Sequence, residues 1–360
     1  MKHPYIGLPA MQFWNKEAGI ENRALLDPVS PPSFSITSAD RIVTAGSCFA
    51  QHVARFMSNA GFNHLITEQA HPIISKPLAE KHNYGMFSAR YGNIYTARQL
   101  KQLLERAYGA FSPMANSWKA LGSERVIDPF RPQIQPGGFL SDAELAADRE
   151  HHFRCIRRAI EEMDVFIFTL GLTEAWIDPR DGAVFPIAPG IVGGDFNPKK
   201  AVFKNFDDTE VYEDLFAALA FIREKRPNIK IILTVSPVAL NATYENRHVL
   251  ESTVWSKAVL RIVAEKCAQR FHDCIYFPSY EIIISPHVRG RYFKADCREI
   301  TKEGIDHVMR LFVKHFTNGS QNLEERLRHR DGHSDQAERH AAAMQEKIDI
   351  LCDEAAIEDK

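Results

Sequence analysis

The sequence predicts a three-layer α/β sandwich, doubly wound about a mainly parallel sheet. Two observations carry this. Apolar runs of strand length alternate with amphipathic runs of helix length, the strand runs being RIVTAG (41–46), DVFIFTLG (164–171), KIILTVSPV (230–238) and CIYFPSYEII (274–283). These runs are apolar throughout rather than at every second residue, as strands covered on both faces are. No internal repeat of fixed period interrupts the order.

Taken in order, residues 1–33 mix aromatics with prolines, end in the proline-rich run at 27–35, and read as an arm laid on the core. Residues 34–317 form the main domain. The run 47–62 is its first helix, with Phe49, Val53, Phe56 and Met57 at helical spacing and Gly61 as the stop. TARQLKQLLERAYGAF (96–111) is a second helix, and residues 111–140, with prolines, glycines and a tryptophan, are a loop insertion. A helix over 141–163 opens on a capping box, Ser141 followed three residues later by Glu144. Residues 178–198 are a second loop insertion. Helices over 208–227, 252–271 and 301–316 complete the alternation. The tail, 318–360, is polar and charged. Its stretch 337–356 has helical propensity but a thin apolar stripe, so it could dock, stay loose, or pair copies of the chain into a homo-oligomer.

Composition narrows the function. With 360 residues and a formal net charge of −2, no global field favours nucleic acid or an anionic membrane. No run approaches the ~20 apolar residues of a membrane span, and the first residues lack a signal-peptide pattern. A cytoplasmic location is expected. The six cysteines form no CxxC pair and fit no zinc spacing, so they are expected as buried thiols, with no metal and no cofactor.

In a doubly wound sheet, ligands bind beyond the carboxyl ends of the strands. Three predicted strands end there in hydroxyls beside a small residue or proline: TAGS (44–47), TLGLTE (169–174) and TVSP (234–237). Ser47 stands where a strand becomes a helix. It is either a nucleophile on the positive end of a helix dipole or a plain N-cap. Cys48 beside it reads as a packing thiol, and His52 lies more than a turn away.

GSCFA at 46–50 is the signature of the GSCFA family, which is grouped with the SGNH (GDSL-type) hydrolases. The resemblance continues in FSARYGNIYTARQL (87–100), TLGLTEAW (169–176), TVSPV (234–238), Ser256-Lys257 and YFKADCREITKEGIDHVM (292–309). It implies an SGNH-like fold and a serine acyl ester hydrolase or O-acetyltransferase, with a small-molecule or glycan ester as substrate. By position, Ser47 matches the nucleophile. Gly92, with Asn93 beside it, matches the glycine block of the oxyanion hole. Gly171-Leu172-Thr173-Glu174 stands where relatives carry Gly-x-Asn-Asp, so Thr173 takes the place of the oxyanion-binding asparagine.

The final block departs from the pattern. Asp-x-x-His is expected, and Asp296-Cys297-Arg298-Glu299 is present. The resemblance makes Asp296 and Glu299 the acid–base candidates, although a carboxylate is a weaker base toward serine than imidazole. His248 is an alternative base. His82 is a weaker one, and His307 lies two turns into the last helix. The Asp148–His151 stretch repeats Asp-x-x-His but reads as helix surface. Tyr91, Tyr95 and Trp176 could stack on a sugar or simply pack. A competing reading is a binding or regulatory protein on a hydrolase scaffold, with its base lost at Glu299.

Overall fold

The structure, a computed structural model, describes residues 3–317 and 353–357. Its centre is a parallel sheet of β1 (Ile42–Gly46), β4 (Val165–Leu170), β8 (Lys230–Val235) and β9 (Cys274–Tyr276), in the order β1-β4-β8-β9. Between them run α1 (Cys48–Asn59), α2 (Lys76–Lys81), α3 (Ala97–Ala107), α4 (Asp142–Glu162), α5 (Asp208–Lys225) and α6 (Val249–Arg270). After β9 come α7 (Ser279–Ile284) and α8 (Lys302–Phe316).

Alternation along each strand builds the three layers. Val43, Phe166, Phe168, Ile231 and Leu233 face one side and pack with Leu100, Leu104, Ile156, Leu215 and Leu260 from α3, α4, α5 and α6. Ile42, Val165, Ile167 and Ile232 face the other, with Phe49, Val53, Ile282, Val308 and Phe312 from α1, α7 and α8. Each such side chain, fully buried, stabilises the fold by about 1.5–3 kcal/mol before entropy is counted. The predicted fold class is the observed one.

The loop insertions carry more structure than the sequence suggested. Beyond β4 the chain makes β5 (Glu174–Ile177), β6 (Val184–Phe185) and β7 (Val202–Asn205), a small antiparallel sheet in the order β6-β5-β7. The first insertion holds a two-residue pair, β2 (Trp118–Lys119) with β3 (Val126–Ile127). The fourth apolar run is a strand only to Tyr276: Pro278 cannot donate to a ladder, and Tyr280 to Ile283 lie in α7. Short 3-10 turns make up much of the first 25 residues, after which Leu26 and Val29 are buried against α8. Asp27 holds Lys314 and His315 there, at 2.6 and 2.9 Å.

Cys48, Cys155, Cys267 and Cys274 are buried, but Cys297 is exposed, contrary to expectation, because it occupies a turn at φ +57°. Cys352 and residues 337–352 of the helical stretch expected in the tail lie outside the described residues; its end lies in a 3-10 turn, Asp353–Ile357. Among the described residues no helix is long and apolar enough to cross a membrane.

Candidate active site

β1, β4 and β8 end side by side. Gly46 pairs with Thr169, and Thr169 pairs with Thr234. Gly46 sits at φ +138°, and a Cβ there would come within 2.8 Å of Thr169 Cβ, so both backbone angle and space demand glycine. That close approach delivers Ser47 directly to the start of α1. The Ser47 N–H donates to the Thr169 carbonyl at 3.2 Å and is therefore committed to the sheet. Its side chain makes no capping hydrogen bond. The residue is 3% exposed and its Oγ has no hydrogen-bond partner among the described residues. A hydroxyl that is buried, uncapped and unpartnered costs about 1–3 kcal/mol, which a packing role does not explain.

Two more hydroxyls on the same edge share this condition, Thr169 Oγ1 and Thr173 Oγ1. The turn that carries Thr173 is built against Ser47. A methyl on Gly171 would reach within 2.8 Å of Ser47 Cβ and 3.1 Å of the Tyr95 carbonyl oxygen. The Gly171 and Leu172 N–H groups both donate to that carbonyl, at 3.1 and 2.9 Å. From α6, Lys257 Nζ donates to the Gly171 carbonyl at 2.6 Å, and Ser256 Oγ accepts from the Thr173 N–H at 3.1 Å. Lys257 is 1% exposed, and burial pushes its ammonium down to about 8. Sequence reasoning noted Ser256-Lys257 without giving either a role. The available signal was a lysine on the apolar face of α6, in line with Leu260 and Ala264.

The stretch around Gly92 closes the third side. Gly92 adopts φ +72°, and its N–H has no hydrogen-bond partner among the described residues. Ile94 donates to the Gly46 carbonyl at 2.8 Å, and Asn93 Oδ1 accepts from Gln51 of α1 at 2.9 Å. Behind it lies a buried ionic cluster. Glu68 accepts from the Arg90 N–H at 2.7 Å and from His152 at 2.6 Å. Asp148 pairs with both Arg90 (3.1 Å) and Arg131 (2.7 Å), and Asp128 pairs with Arg131 at 3.0 Å. Asp148, in the stretch expected to be helix surface, and His152 instead anchor the Gly92 stretch to α4. His151, one residue away, is exposed, with its Nε2 3.5 Å from Cys155 Sγ.

The remaining candidates are spread out. Asp296 is exposed and folds back on its own turn, accepting from the Arg298 and Glu299 N–H groups at 3.1 Å each. Glu299 is exposed and pairs with Lys294 at 2.6 Å. Neither bonds Ser47 Oγ. Glu174 is half-buried, accepts from Thr243 Oγ1 at 2.7 Å, and has its carboxyl raised by burial. His248 caps α6 by accepting from the Leu250 N–H at 3.1 Å. His307 is buried between Tyr292 Oη and the Leu26 carbonyl, at 2.7 and 2.9 Å, which is a structural role. Burial pushes His52 down to about 4, and His82 bonds Gln135. Tyr91 bonds the Thr44 carbonyl, and Trp176 packs edge-on against Phe196, Phe203 and Tyr244. Tyr95 stands apart, with its hydroxyl turned to Asn93.

The strand-end glycine, the serine behind it, the Gly171 turn and the Gly92 stretch thus meet at one edge of the sheet. No curated protein matches the chain. The model of the GSCFA family matches residues 41–312, from the start of β1 through most of α8. The chain belongs to the GSCFA family.

Proposed function

We propose that this chain is a serine-dependent acyl ester hydrolase or O-acyltransferase of the SGNH type, with Ser47 as nucleophile. One observation carries the reading: the Ser47 hydroxyl is buried, partnerless and not a cap, at a strand-to-helix turn where the helix dipole favours negative charge. Ser47 Oγ adds to the acyl carbonyl. The oxyanion is received by the Gly92 N–H, with the Asn93 amide and the Thr173 hydroxyl near it. Collapse expels the alcohol, which takes up the proton released by Ser47, and leaves acyl-Ser47. Water completes hydrolysis, or a second alcohol completes transfer. An acetylated carbohydrate is the substrate class the family pattern suggests.

For the proton we favour Lys257 in its neutral form. It is buried, burial pushes its ammonium down to about 8, and it bonds the carbonyl of Gly171, on which an added Cβ would meet Ser47. Asp296 and Glu299, the positions the family pattern offers, are the alternative. The test is hydrolysis of 4-nitrophenyl acetate and acetylated sugars by wild type and Ser47→Ala. Turnover lost in the variant supports the reading, and equal turnover removes it.

A second reading is a binding protein on this scaffold. The pairing of exposed Glu299 with Lys294 favours it, since that carboxylate is engaged away from the serine.

A further inference from the structure

The five-residue 3-10 turn Asp353–Ile357 lies far from the core in sequence, yet its first two residues are buried, Asp353 at 3% exposure and Glu354 at 8%. They are buried against Asn93 and Tyr95, in the stretch that borders the Ser47 turn. Asp353 Oδ2 accepts from Asn93 Nδ2 at 3.1 Å and from Tyr95 Oη at 3.2 Å. The Asp353 N–H donates back to Tyr95 Oη at 3.1 Å. Glu354 pairs with Arg298 at 2.8 Å, and its backbone carbonyl accepts from Asn241 Nδ2 at 3.0 Å. Arg298 is itself aimed inward by a 3.1 Å bond to the Ala239 carbonyl, and Glu354 lies near enough to Lys257 to favour the ammonium.

The surroundings of this turn are drawn from four separate parts of the chain: the 93–95 stretch and Arg298 of the Asp296–Glu299 turn hold the carboxylates, the loop after β8 holds the Glu354 backbone and Arg298, and Lys257 of α6 lies near Glu354. The same 93–95 backbone frames Ser47 through Gly46 and Gly171. Burying two acids is costly unless the site supplies charge and donors, and here it supplies the Arg298 guanidinium, the Asn93 amide and the Tyr95 phenol, with the Lys257 ammonium nearby.

We propose that the place formed by Asn93, Tyr95 and Arg298 near the Ser47 turn recognises a ligand bearing carboxylate groups, and that in the free chain its own Asp353 and Glu354 fill it. The substrate class of the Ser47 reaction is then an acidic ester, a refinement that rests on the reading above. The tether makes the internal acids strong competitors, because their effective concentration is high. Arg298 is the specificity-determining residue, whichever group serves Ser47 as base.

The experiment uses the full chain and does not pass through Ser47 chemistry. Hydrogen exchange is followed on the peptide covering 353–357 in wild type and in the double variant Asp353→Asn, Glu354→Gln. Wild type should exchange slower by about tenfold or more. Succinate should then raise the melting temperature of the double variant but not of wild type. Succinamide should not, and adding Arg298→Met should remove the succinate effect. Open-chain exchange of 353–357 in wild type overturns the internal occupant. Equal effects of succinate and succinamide overturn carboxylate recognition. Equal turnover by wild type and Ser47→Ala, the failure of the Ser47 reading, leaves both readouts intact, so the two failures are distinguishable.

Discussion

Lys257 and Ser47 meet through one residue: the lysine ammonium bonds the Gly171 carbonyl at 2.6 Å, while the Gly171 Cα side faces the serine. A buried ammonium on a backbone carbonyl, one residue from an unpartnered hydroxyl, makes the Gly171 turn both a structural and a chemical hinge of the site.

The first consequence is a pH dependence. The folded chain releases the Lys257 proton near pH 8, whereas the unfolded chain holds it to about 10.5. Between these values the unfolded state binds more protons, so raising the pH favours the native state. Urea unfolding of wild type and Lys257→Met should therefore diverge from pH 8 to 10.5 in favour of wild type, by on the order of 3 kcal/mol. Below pH 8 the difference should be constant. The rate with acetyl esters should rise to a plateau above about pH 8 in wild type; a rate already flat at pH 6 would give the proton to Glu299 instead.

Gly171→Ala places a methyl within 2.8 Å of Ser47 Cβ and 3.1 Å of the Tyr95 carbonyl. Backbone atoms cannot move aside cheaply, so the variant should lose about 1–3 kcal/mol and its serine should react more slowly. Gly92→Ala makes no such contact and meets only the strain of φ +72°. It should lose about 1–2 kcal/mol and keep its backbone N–H. Thermal melting together with ester hydrolysis separates the two variants.

Arg131→Met leaves Asp128 and Asp148 without their shared guanidinium inside the core. Removing one partner of a buried ionic group typically costs about 3–5 kcal/mol. Urea unfolding should show a loss of this size, whereas Glu299→Ala, at an exposed ion pair, should fall within about 1 kcal/mol of wild type.

How much of this was legible beforehand follows from range. The apolar strands and capped helices are local patterns, and the pairing of Ser141 with Glu144 follows from spacing alone. The edge where Gly46, Thr169 and Thr234 align follows from the parallel topology. Illegible were contacts between residues remote in sequence. Asp148 looks like helix surface until Arg90 and Arg131 arrive from other segments. Whether Trp176 stacks on a ligand or packs is open in the sequence until Phe196, Phe203 and Tyr244 meet it. Asp353 reads as part of a polar tail, and only its contact with Asn93 and Tyr95 places it in the stretch that borders the Ser47 turn.

The central claim is that Ser47 is a nucleophile rather than a turn residue, and the most direct measurement pairs stability with reactivity in Ser47→Ala. Deleting a buried, partnerless hydroxyl should leave the unfolding free energy unchanged or raise it by up to about 1 kcal/mol. Hydrolysis of 4-nitrophenyl acetate, and labelling of the Ser47 peptide by a fluorophosphonate, should both disappear. A variant that is clearly less stable yet hydrolyses the ester as fast as wild type would contradict the account, because the hydroxyl would then serve the fold and not the chemistry.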